Sequence, residues 1–202
     1  MRFPLTSPGM RIGLFGGSFN PAHDAHRAAS LLAWKRLGLD RVWWLVSPGN
    51  PLKDTRGLPP LETRIAKARE VAASPFIQVT GIEGILGTRF TYDTVSQIKA
   101  CFPSVHFVLV IGADILAEFH RWKRWRALAG LIPIAVIDRD GWTAKAVASP
   151  AARALGPARI SERDATVLPL QEPPAWVFLH GLKSPQSSTA LRLSAIRSPV
   201  EG

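Results

Sequence analysis

A run of twelve residues near the N-terminus, 16–27, combines two glycines with two histidines three positions apart. Glycines let a backbone approach a ligand closely, and the start of a following helix offers unpaired N–H groups to an anion. Imidazoles at positions i and i+3 lie on one face of a helix, so His23 and His26 can point at the same group. These residue types at this spacing predict a site for a polyphosphate.

Other phosphate and metal sites fit this run less well. No Gly-Lys-Ser/Thr follows the glycine turn, as a P-loop requires, and the third glycine of the dinucleotide fingerprint is missing. The two histidines could also ligate a metal or be satisfied by local hydrogen bonds. No cysteine and no obvious third ligand completes a zinc set, so we expect no metal site formed by the protein alone.

The elements that must position this run alternate between apolar strands and helical patterns. The predicted strands are 11–15, 41–46, 76–80, 105–111, 132–137 and 176–179. The predicted helices are 26–37, 61–73, 91–102, 122–128 and 188–196. This alternation predicts an α/β fold, a doubly wound, Rossmann-like, mostly parallel sheet with helices on both faces. Such folds bind ligands beyond the carboxyl ends of their strands.

The length of 202 residues fits one domain. We predict a disordered lead over residues 1–10, a single domain over 11–197 and a tail over 198–202. The proline-rich stretch 48–60 predicts a loop, and residues 140–174, rich in Ala, Arg and Pro, predict a helix plus a peripheral loop.

The chain is strongly basic, with a net charge of +10 from 25 Lys and Arg against 15 Asp and Glu. This balance fits a nucleic-acid partner, anionic small substrates or a solvated surface without a specific partner. The basic residues form no long block, so we expect no nucleic-acid partner. A single cysteine, Cys101, and no apolar stretch of membrane-spanning length lead us to expect a cytoplasmic protein without a membrane partner.

Residues 16–27 resemble the Gly-Gly-x-Phe-x-Pro-x-His-x-x-His signature of the nucleotidyltransferases related to class I aminoacyl-tRNA synthetases. Within that group, the chain is most similar to the bacterial nicotinate-nucleotide adenylyltransferase family. Further pieces resemble motifs of that family in order: Pro48 to Lys53, Glu62-Thr63-Arg64, Phe90 to Thr94, Gly112-Ala113-Asp114 followed by Trp122, and Ser187 to Arg192. Asn20 stands where the family more usually has Asp, and Ala25 replaces the glycine between the histidines.

The resemblance implies transfer of the adenylyl group of ATP to nicotinate mononucleotide, a step of NAD biosynthesis that also yields pyrophosphate. The implied catalytic residues are His23, His26 and Arg192. The implied ATP-binding set adds Gly16, Gly17, Ser18, Phe19, Asp114, Ser187, Ser188 and Thr189. The implied acceptor-binding residues are Asn50, Lys53, Thr91 and Trp122. Mg²⁺ is expected to arrive with the triphosphate, because it prefers waters and phosphates to an all-protein cage.

Residue types leave several alternatives open. Trp122 could pack in the core instead of stacking on a pyridine ring, and Lys53 could be an ordinary exposed lysine. The acceptor could be nicotinamide mononucleotide or another phosphorylated compound. A basic nucleic-acid-binding protein is the alternative from a different class, although it gives no reason for the separated motifs. The sequence also leaves open a homo-oligomer.

Overall fold

The computed structural model describes residues 3–49 and 57–181. Within them lies a six-stranded sheet in the order β3-β2-β1-β4-β5-β6. Its strands are β1 (Arg11–Gly17), β2 (Arg41–Val46), β3 (Ile77–Thr80), β4 (His106–Gly112), β5 (Ile134–Ile137) and β6 (Trp176–Leu179). Every neighbouring pair is parallel. The predicted doubly wound α/β fold is therefore confirmed.

Helices connect the strands and cover both faces of the sheet. They are α1 (Asp24–Leu37), α2 (Leu61–Ala72), α3 (Ile82–Leu86), α4 (Thr91–Cys101), α5 (Ala113–Glu118), α6 (Trp125–Ala129), α7 (Thr143–Val147) and α8 (Pro150–Ala154). Shorter-pitched 3₁₀ segments lie at Phe119–Arg121, Gly156–Ala158 and Glu162–Leu170. No helix in the described part of the chain has the length and apolar character needed to cross a membrane. The predicted helix 188–196 lies outside the described residues.

The strands read as continuous apolar runs because both of their faces are buried. In β2, Trp43 and Leu45 join the cluster on the α3–α8 side. The alternate residues Val42, Trp44 and Val46 join the cluster under α1 and α2. After Arg41, period-two alternation between two covered faces leaves no position for a polar side chain, and the run predicted at 41–46 coincides with the observed strand.

Helix α1 follows β1 and covers one face of the sheet together with α2. Its last residue is followed by Gly38 in the left-handed region (φ 61°), whose N–H donates to the Trp34 carbonyl. Glycine adopts this conformation without strain, which explains why the helix stops where the sequence predicts. The apolar face of α1 buries Ala29, Ala33 and Leu37 against the sheet.

The structure corrects two of the helical predictions. Residues 140–174 are not a helix plus a peripheral loop but contain α7, α8 and two 3₁₀ segments, which bury Ala146, Ala151 and Leu168. The helix predicted over 122–128 begins at Trp125, because a short 3₁₀ segment precedes it. In the segment predicted as a disordered lead, the Gly9 N–H donates to the Ser104 carbonyl at 2.7 Å.

Candidate active site

The predicted phosphate-binding turn connects β1 to α1 at the carboxyl edge of the sheet. It lies beside the end of β4, the position where the strand order reverses and where such sheets bind ligands. A Cβ atom added to Gly16 would meet no atom of the described residues within 4 Å, so these residues leave the backbone there uncovered. Phe19 adopts φ 45°, and its buried ring stacks on Trp44 with centroids 4.7 Å apart. The turn is thus anchored by a side chain, leaving its backbone for a ligand.

The two predicted histidines are brought together, with ring centroids 3.8 Å apart. His23 is buried, and neither of its ring nitrogens has a hydrogen-bond partner among the described residues. The backbone N–H of His23 donates to Nδ1 of His26 at 3.3 Å. Nδ1 must therefore carry a lone pair, which places the ring proton of neutral His26 on Nε2.

The surroundings of this pair oppose a positive charge. Burial lowers the pKa of His26 to about 3, with His23 and Arg139 adding to the effect. Aromatic rings supply much of that burial, since the Phe19 centroid lies 4.9 Å and the Trp44 centroid 6.0 Å from the His26 ring. Burial, followed by Arg139, also lowers the pKa of His23. In the free protein, His26 is therefore neutral at physiological pH.

Asp114 follows β4 at the same edge and pairs with an arginine that carried no predicted role. Nη1 of Arg139 lies 2.7 Å from Oδ2 of Asp114. The other carboxylate oxygen, Oδ1, is buried without a partner among the described residues. Gly112 makes this placement possible, because a Cβ on it would overlap Oδ1. Arg139 follows β5 within two residues, so the rule that parallel strands end at one edge could have identified it.

Thr91 and Trp122, predicted to bind the acceptor, lie on neighbouring segments. Thr91 is the first residue of α4, and no side chain of the described residues caps that N-terminus. Trp122 is half-buried, and its ring centroid lies 5.4 Å from that of Phe119. The guanidinium of Arg124 lies over the Tyr92 ring, 4.4 Å from its centroid, which joins the segment after Trp122 to the start of α4.

A half-buried carboxyl group, that of Glu83, lies close to the start of α4. Burial raises the pKa of Glu83 to about 7, although a hydrogen bond with Thr94 opposes that rise. The Thr94 hydroxyl also shares a 2.8 Å hydrogen bond with the Thr88 hydroxyl. Nothing in the residue types around Glu83 predicts this network, because it depends on how α3 packs against α4.

Six predicted site residues lie outside the described residues, namely Asn50, Lys53, Ser187, Ser188, Thr189 and Arg192. Their roles stay predictions. In residues 3–49 and 57–181, no group of three His, Cys, Asp or Glu side chains could hold a metal ion.

Comparison with known proteins relates the chain to one group. Residues 14–193 match the family model described as cytidylyltransferase-like. A relative from Bradyrhizobium sp. (strain ORS 278), named "Probable nicotinate-nucleotide adenylyltransferase", is 55% identical over 183 residues, which are 91% of this chain and 95% of the relative. A protein of the same name from Rhizobium johnstonii is 48% identical over 198 residues, covering 98% of this chain and 100% of that protein.

Solved structures show the same fold at low sequence identity. Plasmodium falciparum nicotinic acid mononucleotide adenylyltransferase complexed with APC superposes with a TM-score of 0.66 at 18% identity, covering 91% of this chain and 83% of that one. The same Plasmodium enzyme complexed with NaAD gives a TM-score of 0.63 at 19% identity, with the same coverage of both chains.

Proposed function

The chain belongs to the nicotinate-nucleotide adenylyltransferase family, and we infer that it transfers the adenylyl group of ATP to nicotinate mononucleotide. The products are nicotinate adenine dinucleotide and pyrophosphate, and the reaction is a step of NAD biosynthesis. The coverage of the curated relatives, nearly end to end in both directions, supports the whole reaction rather than a shared fold alone.

One arrangement in the structure carries the assignment of the site. The two histidine rings meet at the carboxyl edge where β1 and β4 end, and at the same edge Asp114 has a buried carboxylate oxygen without a partner among the described residues. Unpartnered buried polar atoms are costly, so they indicate groups that a ligand completes. The phosphates of ATP need hydrogen-bond donors, and its ribose hydroxyls can donate to the carboxylate.

The reaction requires alignment of the two substrates rather than removal of a proton. The attacking phosphate oxygen of the acceptor is already anionic, so the reaction needs no general base. Repulsion between the two phosphates and the charge that develops at the α-phosphate oppose attack. His26 can donate a hydrogen bond from Nε2 to a phosphate oxygen without adding charge, and the guanidinium of Arg139, paired with Asp114 at the same edge of the sheet, can attract phosphate.

Several further roles belong to the same proposal. Arg192 is suited to bind phosphate with its planar fork, and the hydroxyls of residues 187–189 to bind it at the start of the helix predicted over 188–196. Mg²⁺ would enter as part of the nucleotide substrate. Trp122 would stack on the pyridine ring of the acceptor, and N–H groups at the start of α4 would face the carboxylate of nicotinate. A cytoplasmic location and a homo-oligomer stay predictions.

Pyrophosphate release tests the function directly. Purified protein receives ATP, Mg²⁺ and either nicotinate mononucleotide or nicotinamide mononucleotide, with an assay lacking acceptor as the blank. We expect rapid release with the acid and a lower kcat/KM with the amide. Absence of release with both acceptors would contradict the assignment. Faster turnover of the amide would instead identify nicotinamide mononucleotide as the preferred acceptor.

The His26→Ala variant tests the site within that assay. Loss of a donor to the transferring phosphate should lower kcat by more than about tenfold. His106→Ala is the matched control, because His106 is exposed at the opposite end of β4. Near-ultraviolet circular dichroism checks that both variants are folded. A wild-type rate in folded His26→Ala would remove His26 from the mechanism.

A further inference from the structure

Arg64, on α2, is buried among backbone carbonyls at the ends of two strands. Only 2% of its surface is exposed. Nη1 donates to the carbonyl of Ser18 at 2.8 Å and to that of Ser47 at 2.7 Å. Nη2 donates to the Pro48 carbonyl at 3.1 Å, and Nε donates to the Pro59 carbonyl at 2.9 Å. One side chain thus joins the turn after β1, the end of β2 and the approach to α2.

The bond to Ser18 sets the direction of a peptide unit within the phosphate-binding turn. In a trans peptide, the carbonyl and the following N–H point in opposite directions. Because the Ser18 carbonyl faces Arg64, the Phe19 N–H points away from α2. The ring of Phe19 contacts His26, with centroids 4.9 Å apart, so the same peptide also fixes a wall of the histidine site. Arg64 therefore acts on the site through the backbone of the turn.

The bonds to Ser47 and Pro48 hold the second strand end against the first. A backbone hydrogen bond from the Ser47 N–H to the Gly17 carbonyl, 2.9 Å long, runs across the same junction. Asn50 and Lys53, the predicted acceptor residues, follow Pro48 closely in the sequence. The junction therefore connects the nucleotide side of the site to the segment that leads to the predicted acceptor side.

We propose that Arg64 is a positioning residue that locks the nucleotide-binding turn to the end of β2, so that the bound donor and acceptor are aligned for attack. This inference rests on the proposed adenylyl transfer. Alignment of two substrates is worth large rate factors, and a misplacement of about 1 Å can cost roughly a hundredfold in rate. Arg64 is a junction between the two sides and not a ligand of either substrate.

Arginine suits this junction in a way that lysine does not. The guanidinium presents five N–H donors in a planar fork, whereas the lysine ammonium is a single compact centre with three. Four carbonyls from three chain segments cannot all be reached from one ammonium nitrogen. Arg64→Lys therefore keeps the charge and the length of the side chain approximately, yet loses the simultaneous contact with both strand ends.

A kinetic comparison distinguishes positioning from mere stability. Wild-type turnover of nicotinate mononucleotide is measured first, because its absence would concern the proposed function and not Arg64. In Arg64→Lys we expect kcat to fall by at least about tenfold, with each substrate's KM within about threefold of wild type. Arg69→Lys is the matched control on the same helix, since Arg69 is exposed. Its kinetic constants should equal those of the wild type.

Any of three results would overturn the proposal. A folded Arg64→Lys with wild-type kcat would assign Arg64 to stability alone, and so would a loss of rate that only matches the unfolded fraction.

If the variant does not fold, ¹⁵N NMR of the wild type provides the test through solvent exchange of the Arg64 Nε–H. The nonreactive α,β-methylene analogue of ATP, added without acceptor, should slow that exchange by at least about threefold. An unchanged rate would show that Arg64 does not respond to the nucleotide.

Discussion

The neutral state of His26 makes the free energy of unfolding depend on pH in a way that one substitution isolates. The pKa of His26 is lowered from 6.5 to about 3, first by burial and then by His23 and Arg139. In the unfolded chain, the histidine regains its ordinary pKa. Below pH 6.5 the unfolded state therefore binds a proton that the folded state does not bind. Stability from neutral His26 is complete above the unfolded pKa and is lost as the pH falls from 6.5 toward 3.

The size of this loss follows from the two pKa values. Each tenfold step in proton binding is worth about 1.4 kcal/mol. At pH 5 the protonated form of an unfolded histidine exceeds the neutral form by about thirtyfold, while folded His26 stays almost entirely neutral. The free energy of unfolding should thus be lower by about 2 kcal/mol at pH 5 than at pH 8 through His26 alone.

Urea unfolding of the wild type and of His26→Asn at pH 8 and pH 5 measures this quantity. The Asn carboxamide oxygen can accept the His23 N–H in place of Nδ1, and the side chain does not titrate. Between the two pH values, the variant should lose about 2 kcal/mol less than the wild type. His106→Asn is the control for removing an exposed histidine. Equal pH dependence in the wild type and His26→Asn would refute the conclusion that folded His26 resists protonation.

Two further substitutions probe the ligand-facing residues by steady-state kinetics. Gly112→Ala places a methyl group against Oδ1 of Asp114, so the KM for ATP should rise by roughly tenfold, whereas Gly130→Ala, whose Cβ meets only ordinary contacts, should not change it. An unchanged KM in Gly112→Ala would show that Asp114 does not bind the nucleotide. Trp122→Ala should raise the KM of the acceptor by roughly tenfold and that of ATP by less, as loss of ring stacking requires. Equal effects on both substrates would favour a core role for Trp122.

The fold was predictable because its signals are local and repeated. A strand buried on both faces must be apolar along its length, and the run at 41–46 therefore marks β2 without knowledge of its neighbours. The segment 140–174 lacks such a signal. Its helices have about five residues each, too short to display a helical period, and alanines supply much of their buried surface.

The part of the candidate site whose residues are close in sequence could be predicted. Two glycines and the His23–His26 pair lie within residues 16–27, and the two rings meet as their spacing predicts, whereas their role in binding phosphate stays a prediction. Arg64 and Ser18 are 46 positions apart, and only the packing of α2 beside the sheet reveals that they touch. The protonation state of His26 could not be predicted from the sequence either, since it depends on the packing of Phe19 and Trp44 around the ring.

The distribution of charge in the site agrees with a reaction that needs no base. Two protonated imidazoles with centroids 3.8 Å apart would repel each other, and burial adds to that cost. A neutral His26 does not slow attack by the nucleophile, because the acceptor phosphate is already negatively charged and needs no activation. With Nδ1 occupied by the His23 N–H, the ring can donate only from Nε2, which gives the donor a fixed direction. The guanidinium of Arg139, which pairs with Asp114, adds to the cost of protonating His26, so the hydrogen bond that Nε2 can donate comes from a neutral ring.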